Sequence, residues 1–250
     1  MWLVVLLLIV WELVARSADV RHFPPLSEIF RQFREDWLTG DPTTLFLSEH
    51  FWENAGPSLR RFGIGWFLSI VIGVAAGVVL GRSRVAAAMF NPLIRFSIAT
   101  PKTILLPLAV TFFGVVDEMN IFLIFIGTVW VILINTMDAV ATIDSMWLRS
   151  ARSIGLPKVR LLRTVILPAA SPQIMAGIRV SLGVGLILMV ISELYATTSG
   201  VGYEITLAQR TFKYLPMWSA IMLVAIIGIV LNMAFDVVER RLLRWTQRKR

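Results

Sequence analysis

The chain has 250 residues, of which 57% are hydrophobic and only 16% charged, and its mean hydropathy is +0.75. Soluble domains carry about a quarter of their residues as charges, so the composition excludes an ordinary soluble enzyme or binding module and points to an integral membrane protein. Cys is absent and His22 and His50 stand apart in a polar stretch, which excludes disulfide frameworks and metal centres; in so apolar a chain the net charge of +8 reads as membrane topology rather than nucleic-acid binding.

Apolar runs near the ~20 residues that cross a hydrocarbon core recur along the chain, too long and too little alternated for barrel strands. The predicted class is all-α, a polytopic bundle of about six transmembrane helices. Residues 1–250 are expected to form one membrane domain, since no soluble stretch is long enough to bury a core of its own.

In chain order, MWLVVLLLIVWELVA (1–15) comes first. It is short for a span, but no basic region precedes it and RSADVRHFPP is a poor cleavage site, so a transmembrane helix is preferred over a signal-peptide core. Residues 16–58 are polar and broken by Pro24, Pro25, Gly40 and Pro42, with an amphipathic helix expected over 26–37. Residues 62–81 form a clean span in which Gly73, Gly77 and Gly81 repeat every four positions, with Gly65 near the same face. That smooth stripe predicts close helix packing. The third span, 85–113, contains Asn91, Pro92, Arg95, Pro101, Lys102 and Pro107 and is expected to kink or unwind. A fourth span covers 119–137, a fifth covers 173–195 with Arg179 and Glu193, and a sixth covers 216–235 before the basic tail ERRLLRWTQRKR.

Counting Lys and Arg in the connections sets the orientation. With the N-terminus inside, the inner face collects Arg82, Arg84, Arg149, Arg152, Lys158, Arg160, Arg163 and the six basic residues of the tail. The outer loops hold fewer basics and most of the acids, including Asp19, Glu35, Asp36, Asp41, Glu49, Glu53, Asp117 and Glu118. Segment 16–58 is therefore expected outside, and both termini inside.

The inner segment 141–168 contains RSARSIGLPKVRLLRTVILP. Asp144 or Ser145 suits an N-cap, Gly155 a left-handed helix end and Pro157 the first turn of a second helix. The expected shape is helix, tight corner, helix, with Pro168 and Pro172 bending the chain into the fifth span. By physics alone such a basic knuckle serves equally as an interfacial helix on anionic lipid or as a dock for a soluble partner.

The order Arg149-Ser150-Ala151, three residues, Gly155, nine residues, Val165-x-Leu167-Pro168 resembles the EAA loop of permease subunits of bacterial ABC importers. PKTILLPLAVTFFG (101–114), ILPAASPQIMAGIRVSLG (166–183) and SELYATTSGVGYEI (192–205) are similar, in order and spacing, to the nitrate/sulfonate/taurine branch. The resemblance runs from about residue 23 to the tail, with one departure: Arg149 and Ser150 replace the Glu and first Ala of the pattern.

The resemblance implies a type I importer-like fold in the bacterial cytoplasmic (inner) membrane and a homodimer. It also implies two cytoplasmic ATPase subunits that hold ATP and Mg, and an extracytoplasmic substrate-binding protein that delivers a small anion such as a sulfonate, taurine, nitrate, bicarbonate or aromatic acid. The coupling residues implied are Arg149, Ser150, Ala151, Arg152, Gly155, Leu156, Pro157, Leu167 and Pro168.

No G-x-x-x-x-G-K-[ST] run occurs, so the chain is expected to bind no nucleotide and to be no enzyme. Charges inside a membrane, costing about 2.5–3.5 kcal/mol each at mid-helix, need a cavity or a partner. Lys102 after Pro101, and Arg179 with Glu193, are thus candidates for the translocation pathway; alternatively Arg179 pairs structurally with Glu193 or lies near the inner surface, and Arg95 snorkels. The segment 199–203 reads equally as a gate or a plain turn. The rival reading, an ATP-independent secondary transporter, calls for inverted repeats, and none is visible. An intramembrane enzyme lacks its motifs.

Overall fold

The computed structural model describes residues 2–18 and 20–244. The tail positions Arg248, Lys249 and Arg250 and the outer acid Asp19 lie outside the described residues. The described chain forms helices α1 (Trp2–Ala18), α2 (Leu26–Trp37), α3 (Glu49–Arg82), α4 (Arg84–Ala99), α5 (Leu105–Phe113), α6 (Asp117–Ala141), α7 (Ser145–Ser153), α8 (Lys158–Leu161), α9 (Leu167–Tyr195), α10 (Val201–Arg210) and α11 (Tyr214–Leu242), with no strand among these residues.

Four helical stretches are long and apolar enough to cross a membrane: Glu49–Arg82, Asp117–Ala141, Lys158–Tyr195 and Tyr214–Leu242. The expected third span is a broken pair, Arg84–Ala99 and Lys102–Phe113, bent by 82°. The break falls at Pro101, where Thr100 has left the helical region at ψ 122° as a residue before proline tends to do, while Pro92 stays inside α4. The six expected spans thus become four full helices, one bent pair and the 17-residue α1.

α6 is the axis of the bundle. The α3 stripe lies against it: a Cβ on Gly73 would sit 3.0 Å from Ile132 Cβ, one on Gly77 2.5 Å from Thr136 Cβ, and one on Gly81 2.6 Å from the Met137 carbonyl oxygen. On its other side α9 brings Gly177 against Asn135 and Gly185 against Thr128 and Phe62. In lipid no hydrophobic force drives helices together, so van der Waals contact at such small residues and hydrogen bonds across the seam hold them. Such bonds include the pair Ser69 Oγ and Thr128 Oγ1, 2.6 Å apart, Ser69 Oγ to Phe125 O at 3.1 Å, and Trp66 Nε1 donating to Ser181 Oγ at 2.9 Å.

Two expectations change. α3 starts at Glu49 rather than at residue 62, since Ser48 caps it by accepting from Phe51 N–H at 3.1 Å and the polar stretch that follows continues the helix. The fifth span starts well before residue 173: helix runs from Lys158 past Pro168 and Pro172 to Tyr195, through a π turn at Leu162–Ile166. Pro172 cannot donate to the carbonyl of Pro168, and the Ser171 hydroxyl donates to it instead at 2.8 Å.

Candidate functional site

The knuckle stands at the end of the bundle where α3 and α6 terminate. Asp144 caps α7, its carboxylate accepting from Met146 N–H at 2.7 Å. At the other end Gly155 has φ +73°, Gly155 N–H donates to Arg152 O at 3.0 Å, and Leu156 N–H donates to Ala151 O at 3.1 Å. This is the Schellman ending, which a left-handed glycine permits without strain. Pro157 then caps α8, whose helix passes through the π turn into α9.

Ala151 is buried and Leu148, Leu156 and Leu162 pack on the main core, so the inner side of the knuckle is seated firmly. Its outer side shows Met146, Trp147, Arg149, Arg152, Ile154, Lys158, Val159 and Arg160. Among these exposed side chains the charges are all basic. The arrangement is a rigid, cationic, partly apolar surface joined by unbroken helix to the opposite end of the bundle; Leu167 and Pro168 open α9.

At that opposite end lies a buried ionic cluster that the sequence did not disclose. Glu193 near the end of α9 is 1% exposed and Arg61 in α3 is 4% exposed. Arg61 donates to Glu193 Oε1 at 3.0 Å, to Ser199 O at 2.8 Å and, through Nε, to Asp117 Oδ1 at 2.6 Å. Glu193 Oε2 also accepts from Ser58 Oγ at 2.8 Å and from Gly202 N–H at 3.1 Å, and Arg60 reaches Asp117 from outside. Gly200, at φ +118°, admits the carboxylate: a Cβ there would sit 2.5 Å from Glu193 Cδ. The segment 199–203 is therefore a strap over this cluster, tying α3, α6, α9 and α10 together. Buried ions endure only when paired and hydrogen-bonded, and both are here.

Arg179 is not paired with Glu193. Its guanidinium meets Asp236 at 2.5 Å and Glu239, both on α11, and lies over the Phe235 ring at 5.5 Å. Glu193 is too deeply engaged with Arg61 to serve it. Lys102 lies at the break between α4 and α5, where its ammonium donates to the carbonyls of Ser97 and Thr100 at the end of α4. Its aliphatic stem lies beside Gly127, midway along α6. Pro101, exposed, holds the extended link. Arg95 is exposed on α4 and donates to Asn91 Oδ1 at 3.2 Å.

One signal for Arg61 was present: stepping back by fours from Gly81 through Gly77, Gly73, Ser69 and Gly65 lands on it. A residue on a stripe that faces other helices cannot face lipid, so a charge there needs a buried partner.

A helical bundle of spans with one broken pair, a buried lock at one end and an exposed cationic knuckle at the other defines a polytopic membrane permease. The chain belongs to the family of binding-protein-dependent transport system inner membrane components, whose sequence profile matches residues 69–244. It is 29% identical over 241 residues to the taurine transport system permease protein TauC of Escherichia coli (strain K12), covering 96% of this chain and 86% of that one. Over 244 residues it is 30% identical to the bicarbonate transport system permease protein CmpB of Synechococcus elongatus, with 95% and 86% covered. Over 202 residues it is 32% identical to the putative aliphatic sulfonates transport permease protein SsuC of Escherichia coli (strain K12), with 81% and 77% covered. The fold is similar to a chain of the inward-facing MetNI methionine ABC transporter, at a TM-score of 0.62 and 19% identity, covering 81% of this chain and 99% of that one.

Proposed function

We propose that the chain is one transmembrane permease unit, 1–250, of an ATP-driven importer in the bacterial cytoplasmic membrane, pairing with a second copy to enclose the pathway. Its knuckle, 141–168, and that of the second copy each dock on one of two ATPase subunits that hold ATP and Mg and perform the hydrolysis, and an extracytoplasmic binding protein delivers the solute. The observation that carries this reading is the knuckle itself: an exposed cationic helix pair, inside the region matched by the transport family, that continues as helix from Lys158 to Tyr195. Displacing α7 and α8 moves α9 as a lever toward the Arg61–Glu193 lock.

Charge supports N- and C-termini on the cytoplasmic side. The knuckle end carries Arg82, Arg84, Arg149, Arg152, Lys158, Arg160 and Arg163, and the lock end carries Glu49, Glu53, Asp117 and Glu118. The solute is a small anion of the kind named for the relatives: taurine, an aliphatic sulfonate or bicarbonate. Of the four pathway candidates, Lys102 and Pro101 at the broken helix fit such a solute best, because Arg179 and Glu193 are already matched by opposite charges.

Arg149 implies that the groove receiving α7 is acidic, since a basic groove would repel it together with Arg152. In pull-downs the wild-type chain should retain its ATPase subunit and Arg149→Glu should retain at least about tenfold less, since placing like charges together at an interface costs several kcal/mol. Wild-type chain that retains no ATPase, or a variant that retains more, contradicts the docking scheme.

A further inference from the structure

At the lock end, away from the proposed pathway, lies a cavity of about 570 Å3 where the last turn of α1, the turn after it, α2 and the corner before α11 meet. Arg16, Arg21, Lys213, Glu28 and Tyr214 are among its lining residues. An aromatic strap builds it: Trp11 stacks on Phe23 with ring centres 4.8 Å apart and meets Trp218 edge-on at 5.1 Å. The indole N–H of Trp11 donates to Pro24 O at 3.2 Å, and that of Trp218 donates to His22 O at 3.1 Å. Trp and Tyr rings, apolar at one end and wet at the other, settle at the headgroup level of a bilayer. The strap therefore fixes the depth of the cavity. Toward the membrane interior α1 leaves Leu6, Leu7, Val10, Leu13 and Val14 exposed, and its main protein neighbour is α2, so hydrocarbon must cover that face.

The charges decide what the cavity takes. Arg16 is offset by Glu12 at 2.7 Å and is tied to Ser27 as well. Among the described residues neither Arg21 nor Lys213 has a carboxylate within 4.0 Å, and both are exposed. Among the described residues, Glu28 is the one acid in the lining. Two cations with no acidic partner among the described residues, at headgroup depth and above an apolar wall, form an amphiphilic site for a phosphate that carries acyl chains. We propose that this cavity binds a phospholipid, its phosphodiester between Arg21 and Lys213 and its chains along the exposed face of α1. The lipid then joins α1 to the corner before α11.

The shared chemistry with a free phosphate ester is separable by experiment, and the readout needs no transport activity. The full-length protein, in vesicles containing a photoactivatable phosphatidylglycerol, is irradiated and the labelled peptides are mapped. Labelling is expected on peptides covering α1 and the start of α11. It falls about 30-fold in Arg21→Gln/Lys213→Gln, as two basic contacts of about 1 kcal/mol each are removed, persists in Arg21→Lys/Lys213→Arg, and is unaffected by millimolar glycerophosphate. Labelling there that survives the double Gln variant, or that glycerophosphate abolishes, overturns the proposal; the first outcome removes the two cations as ligands, the second makes the site one for a free anion.

Discussion

Glu193→Leu is expected to lower the unfolding free energy of the purified protein by about 3–5 kcal/mol, the usual consequence of removing one partner from a buried ion pair. The reason is local. Arg61 keeps Asp117, but its Nη1 loses Glu193 Oε1, and Ser58 Oγ and Gly202 N–H lose their acceptor in a site where Arg61 is 4% exposed. Glu193→Gln retains an acceptor oxygen in nearly the same volume and should cost less, about 1.5–3 kcal/mol for weakened bonds to a charged group. Thermal unfolding in detergent reads both. A Leu variant that melts with the wild type would show that the cluster does not hold the ends of α3, α6 and α9.

The second large effect concerns the α3–α6 seam. A Cβ on Gly77 would lie 2.5 Å from Thr136 Cβ and 2.7 Å from the Leu133 carbonyl oxygen, so two backbones must part to admit it. Gly77→Ala should destabilise by about 1–3 kcal/mol, as overpacking does, with Gly77→Val worse. Gly63 is the control: it is on the same helix, yet a Cβ there meets nothing within 4 Å. Gly63→Ala should be neutral or stabilising by about 0.4–1 kcal/mol, because it only restricts the unfolded chain. Equal melting shifts for the two alanine variants would remove the stripe as the basis of packing.

Features written in local chemistry were legible in the sequence. The amphipathic helix at Leu26–Trp37, a cap at Asp144 or Ser145, the left-handed Gly155 and a distortion somewhere within 85–113 each depend on a few adjacent residues. The glycine stripe was legible because its spacing follows the helix itself. What stayed hidden depends on partners far away in sequence. Arg61 and Glu193 are 132 positions apart, and Arg179 and Glu239 are 60 apart, so the sequence left the partner of Arg179 open, with Glu193 as one candidate. The start of α3 was missed because hydropathy marks only the part of a helix that lies in hydrocarbon, while Ser48 begins it well before. The continuity through Pro172 was missed because a single hydroxyl, Ser171, supplies the bond that proline cannot.

The lever joining knuckle to lock has meaning only if an ATPase drives it. The most direct test reconstitutes the permease with its ATPase and binding-protein partners in liposomes and follows uptake of labelled taurine, or of the anion that the binding protein retains. The account expects accumulation against a gradient with hydrolysable ATP, and its loss when the catalytic carboxylate of the ATPase is removed. Uptake that continues at the same rate with the ATP site disabled would contradict it.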